Sequence, residues 1–238
     1  MNLLLNDEYA PITSEIGFIE TSVDRAVDGF SRWMEPLLAK RDLRARRSKV
    51  TGRLRQALQH LLPLTGVEAT RYLFVPTSAP WIAYFDNFVT GADASSVMSQ
   101  LSLRCRTRSV RVVAIPHTRQ DRLGKGRYGA AILEIYAPQE TGFLNYLRTV
   151  CLINDGGKWS FEASGSPQPF EDIEAYNASS IRERFSFELL RNYLGALGVS
   201  AFDDDFYCPT GESILVEVTG ARDHPLPEYE LADARAQY

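Results

Sequence analysis

The feature that most constrains this fold is a series of short apolar segments, each of the length of a β-strand. SVRVVAI (109–115), YGAAILEIY (128–136) and LRTVCLI (147–153) follow one another, and KWSFEA (158–163) comes directly after them. Branched and aromatic residues favour strands, and the connections are too short for helical crossovers. The sequence therefore predicts a meander of neighbouring, mainly antiparallel strands.

Other segments add strands and helices to this meander. RYLFV (71–75), WIAYF (81–85) and SILVEV (213–218) read as strands, and a short helix is predicted from Asp93 to Leu101. Apolar residues recur at helical spacing from Val23 to Leu37 and again from Val50 to Leu62, where Pro63 ends the pattern. These two stretches predict an N-terminal helical hairpin.

A third helical stripe lies near the C-terminus. Ser180 and Glu183 fit a capping box upstream of it, and Gly198 is a natural stop. Its apolar face is formed by Phe185, Leu189, Leu190, Tyr193, Leu194 and Leu197.

These elements predict an α+β fold. A helical hairpin packs on a mainly antiparallel meander sheet, and an amphipathic helix follows near the C-terminus. We expect one domain over residues 1–238, divided into a helical region (about 20–63), a sheet region (about 70–165), a C-terminal helix and strand (about 172–220) and a flexible tail (221–238).

Composition favours a globular protein of the cytoplasm. The chain has 238 residues, 45% hydrophobic and 24% charged, and its three cysteines form no CxxC pair. An odd cysteine count argues against a disulfide framework, and a reducing compartment is the simplest location for such a chain. No apolar run reaches the ~18 residues of a membrane span, and the first residues do not resemble a signal peptide.

Charge is divided unevenly along the chain. Residues 1–159 hold 21 basic against 15 acidic residues, whereas residues 160–238 hold 5 against 15. This division indicates either a partner with a charged surface or two halves that complement each other in one fold. The basic stretches 40–55 and 104–127 suit an acidic protein or, less well, nucleic acid, because no aromatic residues are interleaved with them as single strands would favour. The alternative is that these two basic stretches form ordinary solvent-exposed surface without a binding role.

The stretch NDGGKWSFEASGSPQPFED (154–172) is best explained as a hairpin and its exit. A turn at Asp155–Gly156 or Gly156–Gly157 supplies positive φ angles. Either register places Val150, Leu152, Trp159 and Phe161 on one face. Pro167 and Pro169 then end the strand ladder.

No specific catalytic motif is present in the sequence. The three histidines lack zinc spacing, and no phosphate-binding loop is found, so we expect no metal and no cofactor. An enzymatic alternative, a hydrolase or nuclease, would combine Asp86, His117 and Glu134 as acid and base.

The aromatic residues of PWIAYFDNFVTGADASS (80–96) are best explained as part of the core. The leading rival interpretation is a partner-binding edge, since aromatic residues are favoured interface anchors. Together with nearby arginines, the candidate binding residues are Trp81, Tyr84, Asp86, Asn87, Arg104, Arg106, Arg119 and Arg122.

Three segments, WIAYFDNFVTGADASS, NDGGKWSFEASGSPQPFE and RERFSFELLRNYLGALG, resemble a group of uncharacterised bacterial proteins associated with immunity proteins of toxin systems. The resemblance covers about residues 70–207 and carries over no functional residue. It implies a non-enzymatic cytoplasmic binding protein whose partner is a protein, a cognate toxin that it neutralises by direct contact.

Overall fold

The computed structural model describes residues 3–120, 125–142, 144–222 and 224–236, and a large antiparallel sheet forms its centre. Within those residues nine strands are hydrogen-bonded in the order β2-β10-β4-β5-β1-β6-β7-β8-β9, each antiparallel to its neighbours. The strands are β1 (Glu15–Ile19), β2 (Leu43–Thr51), β4 (Arg71–Pro76), β5 (Ile82–Asp86), β6 (Ser109–Ile115), β7 (Ala130–Tyr136), β8 (Tyr146–Asp155), β9 (Lys158–Gly165) and β10 (Glu212–Gly220). Two short strands, β3 (Leu64–Thr65) and β11 (Glu228–Tyr229), pair with each other.

Helices cover both faces of this sheet, so the protein has an α+β fold with two apolar layers. Phe30 and Met98 pack with Tyr84 on one side, and Leu58 and Leu194 belong to the core of the other side. The helices are α1 (Val23–Ala39), α2 (Leu54–Gln59), α3 (Ala94–Cys105), α4 (Phe187–Ala196) and α5 (Leu231–Ala236). We call the side of Phe30 and Met98 the α1 face and the side of Leu58 and Leu194 the α4 face.

The predicted meander is confirmed, because β6, β7, β8 and β9 are neighbours in chain order. The turn between β8 and β9 uses Gly156 and Gly157, with φ of +59° and +92°. The Asn154 side chain accepts a hydrogen bond from the Gly157 N–H at 3.0 Å. Leu152 therefore faces Phe161, which selects one of the two predicted registers.

The N-terminal helical hairpin is not formed, because a strand separates the two helices. Residues 43–51, from the basic stretch, form β2 and pair along their whole length with β10. The periodicity that starts at Val50 is helical only from Leu54, and pairing with a distant strand overrides it. The first helix also follows a strand, β1, that the sequence analysis missed.

β1 lies at the centre of the sheet and depends on one glycine. A Cβ atom on Gly17 would lie 2.7 Å from the Met98 Cε atom. The glycine lets α3 pack closely on the strand, and it also weakens the local strand signal.

The C-terminal helix, α4, begins later in the sequence than predicted, at Phe187. The side chain of Ser186, rather than a capping box at Ser180 and Glu183, caps α4 by accepting a hydrogen bond from the Leu189 N–H at 3.2 Å. The polar segment after Ala221, predicted to be a flexible tail, returns to the fold through an ion pair between Arg222 and Glu68 and through β11.

Two glycines allow a test of the hairpin and its exit. Both have positive φ, Gly157 at +92° and Gly165 at +82°, but a Cβ atom meets nothing at Gly157 and collides with the Leu147 carbonyl oxygen at Gly165. We expect Gly157→Ala to cost about 1–2 kcal/mol of unfolding free energy and Gly165→Ala about 2–3 kcal/mol, because the backbone must also move. Urea denaturation of both variants measures the difference, and equal losses would contradict the predicted collision.

Candidate ligand pocket

The predicted binding residues do not form one site. Trp81 is buried on the α4 face, where its indole N–H donates to the Leu197 carbonyl at 3.1 Å. Asn87 is fully buried, and its side-chain oxygen accepts hydrogen bonds from the N–H groups of Thr70 and Arg71. Both residues therefore hold the fold together and do not form an exposed binding edge.

The predicted arginines lie elsewhere. Arg104 and Arg106 lie at the end of α3, exposed to solvent. Arg119 lies after β6, with its guanidinium 5.1 Å from the centre of the Tyr128 ring. Arg122 falls outside the described residues. Among the seven candidates that the structure describes, Tyr84 and Asp86 line one cavity together.

Many of the basic residues have partners inside the protein. Among the described residues, four ion pairs join the first part of the chain (1–159) to the second (160–238). They are Lys49–Glu212, Arg71–Glu217, Arg148–Glu171 and Arg222–Glu68. These contacts favour the interpretation that the two charged halves complement each other within one fold.

The structure does not bring together Asp86, His117 and Glu134, the three residues of the enzymatic alternative. Asp86 on β5 and Glu134 on β7 are separated by β1 and β6, which places their backbones about 14 Å apart at the ~4.8 Å spacing of strands. Glu134 is already bound to Arg111 at 3.2 Å. His117 packs against Trp159, whose side chain belongs to the α4 face. The three residues do not meet.

Tyr84 and Asp86 instead line a cavity of about 260 Å³ between α1 and the sheet. Aromatic rings form much of its wall. The ring centres of Phe30 and Tyr72 are 4.8 Å apart, and Tyr72 and Tyr84 are stacked at 6.4 Å with an interplanar angle of 24°. Trp33 on α1 adds a further aromatic ring to the wall, and this residue is half-buried.

Three acidic residues line this cavity, Glu68, Asp86 and Asp93, and Asp86 is the most deeply buried of them, with the residue 1% exposed. One carboxyl oxygen accepts the Tyr84 hydroxyl at 2.8 Å, and the other accepts the Phe88 N–H at 3.0 Å. Among the described residues, no lysine or arginine forms an ion pair with Asp86 or lines the cavity. A buried carboxyl group without a counter-ion is costly, so its presence requires an explanation.

The environment raises the pKa of Asp86 from its ordinary 3.8 to about 7. Burial is the largest cause, because it disfavours the charged form. The hydrogen bonds from Phe88 and Tyr84 oppose this shift, and the nearby carboxylates of Glu15 and Asp93 add to it. A bound cation would lower the pKa of Asp86 again, because it would stabilise the charged carboxylate.

The aromatic residues that complete this pocket are not among the candidates predicted from the sequence. Phe30 lies in the apolar stripe of α1, and Trp33 and Tyr72 carry no separate signal of a site. The pairing of Tyr72 with Tyr84 is partly visible in the sequence, because the two residues occupy predicted strands that follow each other along the chain. Their approach to α1, however, depends on tertiary packing.

Three comparisons with known proteins provide no further guidance. No protein-family model matches this chain, and neither a curated protein nor a solved structure matches it. Within the described residues, no group of three His, Cys, Asp or Glu side chains is placed to hold a metal ion. No helix in that part of the chain is both long enough and apolar enough to cross a membrane.

Proposed function

We propose that this chain is a non-enzymatic binding protein and that the Tyr84–Asp86 pocket accepts a positively charged group of its ligand. The observation that carries the proposal is the buried Asp86 carboxyl group, which forms no ion pair with a lysine or arginine of the described residues and lines a cavity walled by aromatic rings. Aromatic faces attract cations, with energies of about 0.5–2 kcal/mol for each contact, and such cages are a recurrent way to bind alkylammonium groups.

The lining of the pocket favours an alkylammonium group over a guanidinium group. Phe30, Tyr72 and Tyr84 present apolar ring surface, and Asp86 offers one carboxyl group whose oxygens already accept two hydrogen bonds. A guanidinium group would leave several of its five N–H donors unpaired in such a site. An ammonium group with methyl or methylene substituents buries apolar surface and needs one negative charge.

The narrower form of the proposal concerns the partner. The resemblance of three segments to immunity-associated proteins favours a cytoplasmic protein partner, a cognate toxin neutralised by direct contact. The three free cysteines fit a reducing compartment. In this form, a lysine side chain or an N-terminal amine of the partner occupies the pocket.

Titration with choline tests the pocket directly. At pH 8 we expect choline to bind at least about tenfold more tightly than its neutral isostere, in which a tert-butyl group replaces the trimethylammonium group. Asp86→Asn should reduce this preference, because the aromatic rings then act without the buried carboxylate, whereas Glu162→Gln on the exposed side of β9 should leave it unchanged. Calorimetry measures both affinities.

The same titration distinguishes the proposal from a purely apolar cavity. Lowering the pH to 6 should weaken choline binding, because protons compete for a carboxyl group whose pKa is about 7. Equal affinity for choline and its neutral isostere at pH 8, where the carboxyl group is mainly ionised, would refute a cation site. Co-expression with the product of the adjacent gene tests the immunity form, which fails if no complex and no relief of toxicity are found.

A further inference from the structure

A second cavity lies on the α4 face and has the opposite electrostatic character. It measures about 320 Å³ and lies between the meander and the segment that leads into α4. Its apolar lining includes the buried Leu152 and Phe185, and the half-buried Trp159 also lines it. We call it the Trp159 pocket. None of its lining residues is acidic.

Arg182 provides the positive charge of this pocket. Its guanidinium lies 5.1 Å from the centre of the Trp159 ring, and the residue is exposed. Within the described parts of the chain it forms no ion pair with a carboxylate. The guanidinium is therefore held beside an aromatic ring with its hydrogen-bond donors available to a ligand.

His117 adds a hydrogen-bond donor at the same place. Its Nδ1 atom accepts the Gly129 N–H at 3.3 Å, which leaves Nε2 as the ring nitrogen that can donate to a ligand. The imidazole packs against Trp159 with ring centres 5.3 Å apart. The Ser186 hydroxyl, by contrast, is already used to cap α4.

We infer that the Trp159 pocket binds a planar aromatic carboxylate. The aromatic ring of the ligand would contact Trp159 and Phe185, where stacking and burial of apolar surface favour it. The carboxylate would pair with Arg182, because a guanidinium matches the geometry of a carboxylate with two parallel hydrogen bonds. A single arginine suits a monoanion better than a doubly charged phosphate.

This site is separate from the Tyr84–Asp86 pocket. The two cavities share no lining residue and lie on opposite faces of the sheet. They also select opposite charges. Binding at one can therefore be abolished without affecting the chemistry of the other, which makes the two proposals independently testable.

Calorimetry on the full-length chain with indoleacetate provides the test. We expect indoleacetate to bind at least about tenfold more tightly than its uncharged amide, indoleacetamide, and tenfold more tightly than adenosine monophosphate. Arg182→Gln should weaken indoleacetate binding by about tenfold, the loss of one charge-assisted pair. Arg44→Gln, which removes another exposed arginine, and Asp86→Asn should both leave binding unchanged.

Several outcomes would overturn the inference. Equal binding of the acid and the amide would remove the role of Arg182, as would an Arg182→Gln variant that binds normally. Tighter binding of adenosine monophosphate than of indoleacetate would identify a phosphate site. No detectable binding of indoleacetate at millimolar concentration would refute the site altogether. Because Arg182 is exposed, its substitution leaves the core intact, and a thermal melt verifies this.

Discussion

Glu171→Ala is expected to lower the free energy of unfolding by roughly 3–5 kcal/mol, because it leaves a buried arginine without its partner. The side chains of Arg148 and Glu171 are 4% and 1% exposed, and their closest approach is 2.6 Å. Arg148 donates from two nitrogens to the carboxylate. No other ion pair among the described residues is so completely removed from water.

Glu171 also organises the segment where the chain leaves the sheet. Its carboxylate accepts the Gln168 N–H at 2.8 Å and the Tyr176 hydroxyl at 2.7 Å. Arg148 in turn donates to the Gly165 carbonyl at 3.0 Å. The exit from β9 is therefore pinned by one buried ion pair and its hydrogen bonds.

Urea denaturation of two Glu171 variants can separate the contribution of the side-chain charge to stability from the contribution of its shape. Glu171→Gln keeps much of the shape and one acceptor oxygen, so we expect a smaller loss than for alanine. Glu162→Ala, on the exposed side of β9, should change stability by less than about 0.5 kcal/mol. A loss below about 1 kcal/mol for Glu171→Ala would mean that water or another group replaces the carboxylate.

The second large effect is a pH-dependent destabilisation centred on Asp86. Its pKa is about 7 in the folded protein against an ordinary 3.8. Between these values the folded state holds a proton that the unfolded state has lost, so stability falls as the pH rises from about 4 to about 7. A difference of about three pKa units corresponds to about 4 kcal/mol.

Asp86→Asn isolates this contribution from those of other titrating groups. Asparagine is neutral at every pH, and its oxygen can still accept the Phe88 N–H that Asp86 accepts at 3.0 Å. We expect the variant to be more stable than the natural protein by up to about 4 kcal/mol at pH 8 and nearly equal to it at pH 4. Denaturation curves over this pH range measure the difference. A constant difference across the range would show that Asp86 does not titrate as stated.

The meander was predictable because each of its strands contains its own signal. The segments 109–115, 128–136 and 147–153 are continuous, rich in branched residues and followed directly by their partners in the sheet. β1 and β2 lacked such a signal. Gly17 interrupts β1, and β2 is a run of charged residues whose strand conformation depends on pairing with β10.

The candidate pocket was predictable only in part, for a related reason. Tyr84 and Asp86 are two residues apart, so the strand places them on one face, and their sequence neighbourhood is visible locally. Phe30 and Trp33 reach them from a helix about 50 residues earlier. Nothing local in α1 distinguishes a ring that lines a cavity from one that fills the core.

The position of β10 between β2 and β4 has a consequence for synthesis of the chain. β2 ends about 160 residues before β10 begins, yet β10 is the neighbour of both β2 and β4. While the chain emerges from the ribosome, β2 and β4 therefore keep the edges that pair with β10 unpaired for most of translation. Unpaired edges invite association with other chains, and contacts of such long sequence separation form slowly. The protein is thus expected to be most vulnerable to aggregation during its own synthesis, until residue 220 has emerged.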